Sequence, residues 1–596
     1  MRTECWNDSG KWKPCSARWM AVAAAAALVL HGCGRGPTPD DASGQSDVAA
    51  PPAEGNTNND ASRSETIGAG STSRLESPVT RSSKLGQQLY VQHCAACHGE
   101  RGDGKGIAAA FLFPKPREFR AGRFRLVSTD NNVPTREDLH AVLIRGMPGS
   151  SMPPWAHLLQ QERDALVEEV MQIRRDGARE SYIQLLKEDE GLSDEEIAED
   201  DIQEEIQDYV EEFTTPGHST EVPSPEAPTA DSIARGKDAY TKFACVQCHG
   251  ETGRGDGATA MVDEEGMPTR PRDFTLGIFK GNHDAASLYR RIAYGMPGTP
   301  MPGSSTMTPE QMMDLVHYIQ SLSTDEQRQA AVPKREKIVA KRVEAIPQSA
   351  QDDAWAGSEP VHLRMTPLWW RNDAYADLTV QAVHDGQTIA VRLTWIDESA
   401  DHHALRSESF EDAVAMELYR GDAEPFLGMG DPSSPVDVWF WDADRQSGLA
   451  AANDSYPNAV VDVYPFSETV AAGAELNRPG ARLADQPDVS LPARASGNLI
   501  VPTSDESGGS SLHVGGPRTV TFRVPQSQLV RARGTWSEGR WTVVMTRPLS
   551  VASQDDGVSL EAGGRSSVAF AVWDGMHHDR DGQKSITIWQ DLELGD

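Results

Sequence analysis

The chain has 596 residues, 38% of them hydrophobic and 24% charged, which leaves room for several buried cores and excludes a bundle of membrane helices. Fifty-six basic residues against 89 acidic ones give a net charge of -33, which repels nucleic acid and anionic lipid headgroups and favours basic or neutral partners. Nucleic-acid binding is not expected.

The amino terminus reads as an export signal. Lys11, Lys13 and Arg18 precede the apolar run Met20 to Leu30, whose length suits a signal's hydrophobic region and falls short of the roughly 20 residues that span a bilayer. The stretch LHGC that follows resembles a bacterial lipobox, with His31 where a small residue is usual, and implies lipidation at Cys33 after cleavage. Residues 1–33 are thus expected to be a leader, and the mature protein to be periplasmic, touching the membrane only through a lipid anchor at Cys33. Residues 34–82 hold almost no large apolar side chains and read as a disordered tether.

Two stretches then repeat, HCAACHGERGDG from residue 93 and CVQCHGETGRGDG from residue 245. A Cys-x-x-Cys-His run sets two thiols to add to the vinyl groups of one haem, while the adjacent histidine reaches its iron. Cys94, Cys97, Cys245 and Cys248 are the expected attachment residues, and His98 and His249 the expected iron ligands. With Cys5 and Cys15 lost in the leader, no disulfide framework remains.

Each copy has an amphipathic segment before the motif (Leu85, Leu89, Tyr90; Ala239, Tyr240, Phe243) and KPREF or RPRDF after it. Each ends in a methionine loop, RGMPGSSMPPW or YGMPGTPMPG. An apolar helical stripe follows: Leu159, Leu166, Val170 and Ile173 in one copy, Met312, Leu315, Ile319 and Leu322 in the other. Thr308, Pro309 and Gln311 form a capping box with proline in the first turn. His140 and His317 stand on helical segments as surface or packing residues.

This order resembles class I cytochrome c, an all-helical fold, over residues 83–176 and 231–323. The resemblance implies a methionine as the second iron ligand, and Met152 and Met301, nearer the last helix, match the usual position better than Met147 and Met296. A thioether favours ferrous iron and raises the potential, as electron transfer requires. Residues 177–230 are expected to link the two domains. Residues 188–212 carry fourteen acids and no base, with Leu192, Ile197, Ile202, Ile206 and Val210 at helical spacing, and a proline-rich stretch follows.

From residue 333 the pattern changes to β-branched and aromatic runs between turn signals, among them KIVAKRVEAIP, LTVQAVHDGQTIAVRLTWID, VDVWFW, RTVTFRVP, RWTVVMTRPL, SSVAFAVWDG and KSITIWQDL. An all-β antiparallel sandwich is expected over residues 333–596, large enough to enclose a cofactor.

The hairpin VHDGQTIAVRLTWID, the segment FEDAVAMEL, the loop EPFLGMGDPSSPVDVWFWD and the tail RPL, VAFAVWDG and KSITIW resemble the haem b subunit of ethylbenzene dehydrogenase and related type II members of the dimethyl sulfoxide reductase family. That resemblance implies a non-covalent haem b held by Met429 and Lys584, and partner subunits carrying molybdopterin and iron–sulfur clusters. A lysine ligates iron only as the neutral amine, so Lys584 would have to be desolvated. His577, His578 and Met416 compete for the iron on chemistry alone.

The expected function is electron transfer by two haem c groups and one haem b, serving a molybdenum oxidoreductase and not itself catalytic. A dihaem peroxidase and a sensor whose sandwich binds a small ligand are the alternatives.

Overall fold

The computed structural model describes residues 4–6, 12–14 and 83–595, apart from 220, 225, 372–376, 403–407, 422, 448–506 and 562. The expected leader run, Cys33 and the tether to residue 82 lie outside the described residues.

Both cytochrome-like regions are built on a crossing of two helices. Helix α1 (Lys84–His93) is capped by Ser83; α2 (Arg136–Arg145) opens with a capping box of Thr135 and Asp138; α3 spans Gln160–Asp189. A Cβ on Gly86 would lie 2.5 Å from the carbonyl oxygen of Ala165, so only glycine lets α1 approach α3 this closely. The apolar faces of these helices bury Leu89, Tyr90, Leu143, Leu166, Val167 and Ile173, whereas Leu85 and Leu159 are exposed.

The second region repeats the plan. After α4 (Asp200–Thr214) come α5 (Ala230–Lys242), α6 (Ala285–Tyr294) and α7 (Pro309–Ser321), the last with the expected Thr308–Gln311 capping box. Gly236 meets α7 as Gly86 meets α3, its Cβ position being 2.0 Å from the oxygen of Asp314.

Helix α3 runs on past residue 176, and α4 folds back against it. Tyr182, Leu186, Ile197, Ile202 and Ile206 form a small core between them. The acid-rich stretch is therefore an amphipathic arm with its own packing.

Among its described residues the carboxy-terminal region has ten main strands: β1 (Lys337–Arg342), β2 (Asp377–His384), β3 (Thr388–Ile396), β4 (Ala413–Tyr419), β5 (Val436–Asp442), β6 (Gly509–Val514), β7 (Arg531–Ser537), β8 (Arg540–Pro548), β9 (Arg565–Trp573) and β10 (Gln590–Leu594). Their order is β6-β5-β4-β9-β10-β1-β2-β3-β8-β7. Asp385 and Gly386 make the predicted hairpin turn between β2 and β3, with Gly386 at φ +94°. Trp395, Trp441 and Trp541 meet in the core between the two halves of the sheet.

The expectation of a purely antiparallel sandwich is corrected here: the sheet is mixed. β1 pairs in parallel with β10 through residues 337–340 and with β2 through 341–342, joining the two halves. A strand arriving from a preceding domain has no hairpin to fix its direction, so local turn signals do not report its pairing. Among the described residues no helix is long and apolar enough to cross a membrane.

Candidate functional site

In the first cytochrome region the motif winds from α1 into a short helix, Ala95–His98. Nδ1 of His98 lies 2.8 Å from the carbonyl oxygen of Arg117. A carbonyl only accepts, so Nδ1 carries the proton and Nε2 keeps its lone pair. The ring stacks on Phe119 with centroids 4.3 Å apart, and burial lowers its pKa to about 4, holding the imidazole neutral as metal ligation requires. Burial pushes the Cys94 and Cys97 thiols up to about 12.

His249 repeats the ring stacking but not the hydrogen bond, since its Nδ1 is buried without a partner. It stacks on Phe274 at 4.7 Å, and burial followed by the Lys280 charge lowers it to about 4. Tyr90 donates to the oxygen of Gly99 at 2.8 Å, and Tyr240 to Gly250 at 2.7 Å, fixing the turn after each histidine. In both methionine loops the amide of the first methionine donates to the carbonyl of the second at 3.1 Å, Met147 to Met152 and Met296 to Met301.

The His98 site opens into a cavity of about 830 Å³ that continues to the outer face of β4, β5, β6 and β9. Cys94, Cys97, His98, Met147 and Met152 line one end, and Met429 and Lys584 the other. On the sheet side the floor is flat and small: Ala415 lies opposite Ala571 in register, and Ala569 beside them, with Val438, Phe440, Leu512 and Val514 as walls. Those small side chains leave the slot a planar macrocycle needs.

Met429 is held at φ +85°, with the amide of Gly430 donating to the oxygen of Phe426 and that of Gly516 to the oxygen of Met429. A left-handed non-glycine residue is strained by about 1–3 kcal/mol, so the loop spends stability on aiming this side chain. The Lys584 side chain is buried, its ammonium nitrogen 4.7 Å from the centre of the Trp573 ring. Burial lowers its pKa to about 8, against the opposing pull of Glu417 and Asp581. A thioether and a readily neutral amine on a flat apolar slot fit a low-spin haem.

Residues 352–585 match the ethylbenzene dehydrogenase family, residues 233–323 the cytochrome c family, and residues 82–168 the family of cbb3-type cytochrome c oxidase subunit III. Two cytochrome c domains precede an ethylbenzene dehydrogenase-type domain. A Haloferax mediterranei protein provisionally named a respiratory nitrate reductase heme subunit is 26% identical over 42% of this chain and 69% of its own length. The gamma subunit of dimethylsulfide dehydrogenase from Rhodovulum sulfidophilum is 30% identical over 36% of this chain, and that of chlorate reductase from Ideonella dechloratans 27% over 36%. The chain spans 58% and 63% of those two gamma subunits.

Strand alternation separates the competing ligands in the ethylbenzene dehydrogenase-type domain. Val414, Met416 and Leu418 point into the core between the sheet halves, so Met416 faces away from the cavity. His577 pairs with Asp574 at 2.7 Å and His578 packs edge-on against Phe410; neither lines the cavity. In the cytochrome domains His140 pairs with Asp164, and His317 is buried between Ser232 and Glu226.

Glu417 escaped the sequence reading. It shares the cavity with Lys584, accepts from the amide of Met429, and leaves Oε1 buried without a partner. Burial raises Glu417 to about 8 and lowers Lys584 to about 8, and the attraction between the two charges opposes both shifts. Its signal was one acid in the otherwise apolar strand AVAMELY, on the face opposite Met416.

Proposed function

We propose that this protein is a periplasmic, lipid-anchored electron relay carrying two haem c groups and one haem b, and that it serves a molybdopterin oxidoreductase with an iron–sulfur subunit as a gamma-type subunit with its own cytochromes. Cys94 and Cys97, and Cys245 and Cys248, would hold the c-type haems, with His98 and Met152, and His249 and Met301, on iron. Met429 and Lys584 would hold the b-type haem. Bound, these groups supply one-electron transfer. The residues keep each imidazole neutral and stacked on a phenylalanine, and surround the slot with apolar walls that exclude water.

The observation that carries this reading is the single cavity running from His98 to Met429 and Lys584. It supports the reading because the residues proposed as two ligand sets line one apolar path, as a relay needs and a sugar- or peptide-binding sandwich does not. The names of the dimethylsulfide dehydrogenase and chlorate reductase gamma subunits support the choice of partner.

Native purification tests it. The protein should co-purify with molybdenum and acid-labile sulfide in fixed ratio to its haem iron. A protein that purifies alone, with neither, contradicts the assignment of partner.

A further inference from the structure

Among the cations that line the cavity, Arg125, Arg272 and Lys280 come from two different domains. Arg125 follows Phe124 in the first cytochrome domain; Arg272 and Lys280 belong to the second. The repeat makes Arg272 the counterpart of Arg117, and Lys280 that of Arg125, but their surroundings differ. The first domain's pair is neutralised by acids of the second: Arg117 meets Glu264 at 2.7 Å, and Arg125 meets Asp263 at 3.0 Å.

The second domain's pair makes no salt bridge among the described residues. Arg272 donates to the carbonyl of Gly149 in the first domain's methionine loop and stacks over Trp370 at 4.6 Å, leaving Nε buried without a partner. No side chain among the described residues hydrogen-bonds the Lys280 ammonium, which borders the cavity. Burial, then the neighbouring arginines, holds Lys280 well below the usual lysine range against the weaker pull of Asp263, and burial lowers Arg272 to about 9. A cation taken out of water without a salt bridge is costly, and a carboxylate bound beside it removes that penalty.

We propose that Arg272 and Lys280, beside the ion-paired Arg125, form a carboxylate-binding cluster, assembled across the two cytochrome domains, that holds the propionates of the haem on Cys94 and Cys97. The inference rests on the haem reading above and adds to it. Side chains of the second domain then bind the cofactor of the first. Cations at the propionates cancel negative charge near the iron and raise that haem's potential.

The test uses the matured full-length protein with haem labelled with carbon-13 at the propionate carboxyls, comparing wild type with Lys280→Met, Arg272→Gln and Lys280→Arg. Redox titration and redox-difference infrared spectra are the readouts. Lys280→Met and Arg272→Gln should lower the midpoint potential of the haem on Cys94 and Cys97 and shift its labelled carboxylate band, while Lys280→Arg stays near wild type in both. An unmoved band and potential in a protein that keeps two covalent haems overturns the cluster alone. A shift confined to the haem on Cys245 and Cys248 also overturns it. Wild-type protein lacking covalent haem at Cys94 and Cys97 overturns the haem reading and the cluster with it.

Discussion

The amide of Leu368 donates to the carbonyl of Lys584 at 2.8 Å, and the carbonyl of Leu368 accepts from the amide of Phe113 at 2.9 Å. Phe113 lies a few residues beyond Ala108, whose amide bonds Ala96 inside the first attachment motif. The backbone that aims the proposed haem b ligand is therefore tied by hydrogen bonds to the cytochrome domain. Gln92, just ahead of Cys94, makes a matching tie to the carbonyl of Glu424 at 2.8 Å, at the start of the Met429 loop.

That coupling is measurable at its side-chain contact. Phe113 and Trp369 stack with centroids 5.4 Å apart. A double-mutant cycle of Phe113→Ala and Trp369→Ala should give a coupling of about 0.5–1.5 kcal/mol in the unfolding of the holoprotein. Strict additivity would mean that the stack does not join the domains.

The helix crossing in the second cytochrome domain admits no side chain at residue 236. Gly236→Ala places a methyl group 2.0 Å from the Asp314 oxygen. It should destabilise the domain by about 1–3 kcal/mol or more and lower its thermal midpoint. A neutral substitution would show that the crossing relaxes without cost.

Much of this architecture is legible in the chain, and the failures share a cause. The attachment motifs, the amphipathic helices and the β2–β3 hairpin are local patterns, and they appear where the residues place them. The strands β6 and β7 gave weaker signals, because GSSLHV and RARGTWS mix small and charged residues. The parallel β1, the packing of α4 on α3, and the meeting of Arg125 with Arg272 and Lys280 are long-range juxtapositions that no local period encodes. Glu417 was hidden for another reason: β4 is covered on both faces, so alternation does not announce a polar side.

Three carboxylates, Asp397, Asp412 and Asp574, come within 4.8 Å of one another inside the ethylbenzene dehydrogenase-type domain. Burial and the neighbouring acids raise Asp397 to about 8, and burial raises Asp412 to about 7. Between the ordinary carboxylate range and those values the folded state binds more protons than the unfolded one, so stability should fall as pH rises from about 4 to 8. Asp397→Asn should be more stable than wild type at pH 8 by roughly 1–3 kcal/mol, the gap closing towards pH 4. Thermal unfolding at the two pH values decides it, and a variant that is less stable at pH 8 contradicts the assignment.

The ligands of the non-covalent haem separate by substitution. Lys584→Ala should convert its low-spin signal to high spin, and Met429→Ala should weaken retention or lower the potential. Met416→Leu, His577→Ala and His578→Ala should leave the optical spectrum unchanged, because those side chains face the core or lie off the cavity. A silent Lys584→Ala would remove lysine from the iron.

The central claim is a chain that holds two haems by covalent bonds and a third by fold alone. Acid–acetone extraction of the matured full-length protein, followed by haem quantification in both fractions, tests it directly. The account predicts two haems remaining on the polypeptide for each one extracted. A polypeptide with two covalent haems and nothing extractable would contradict it.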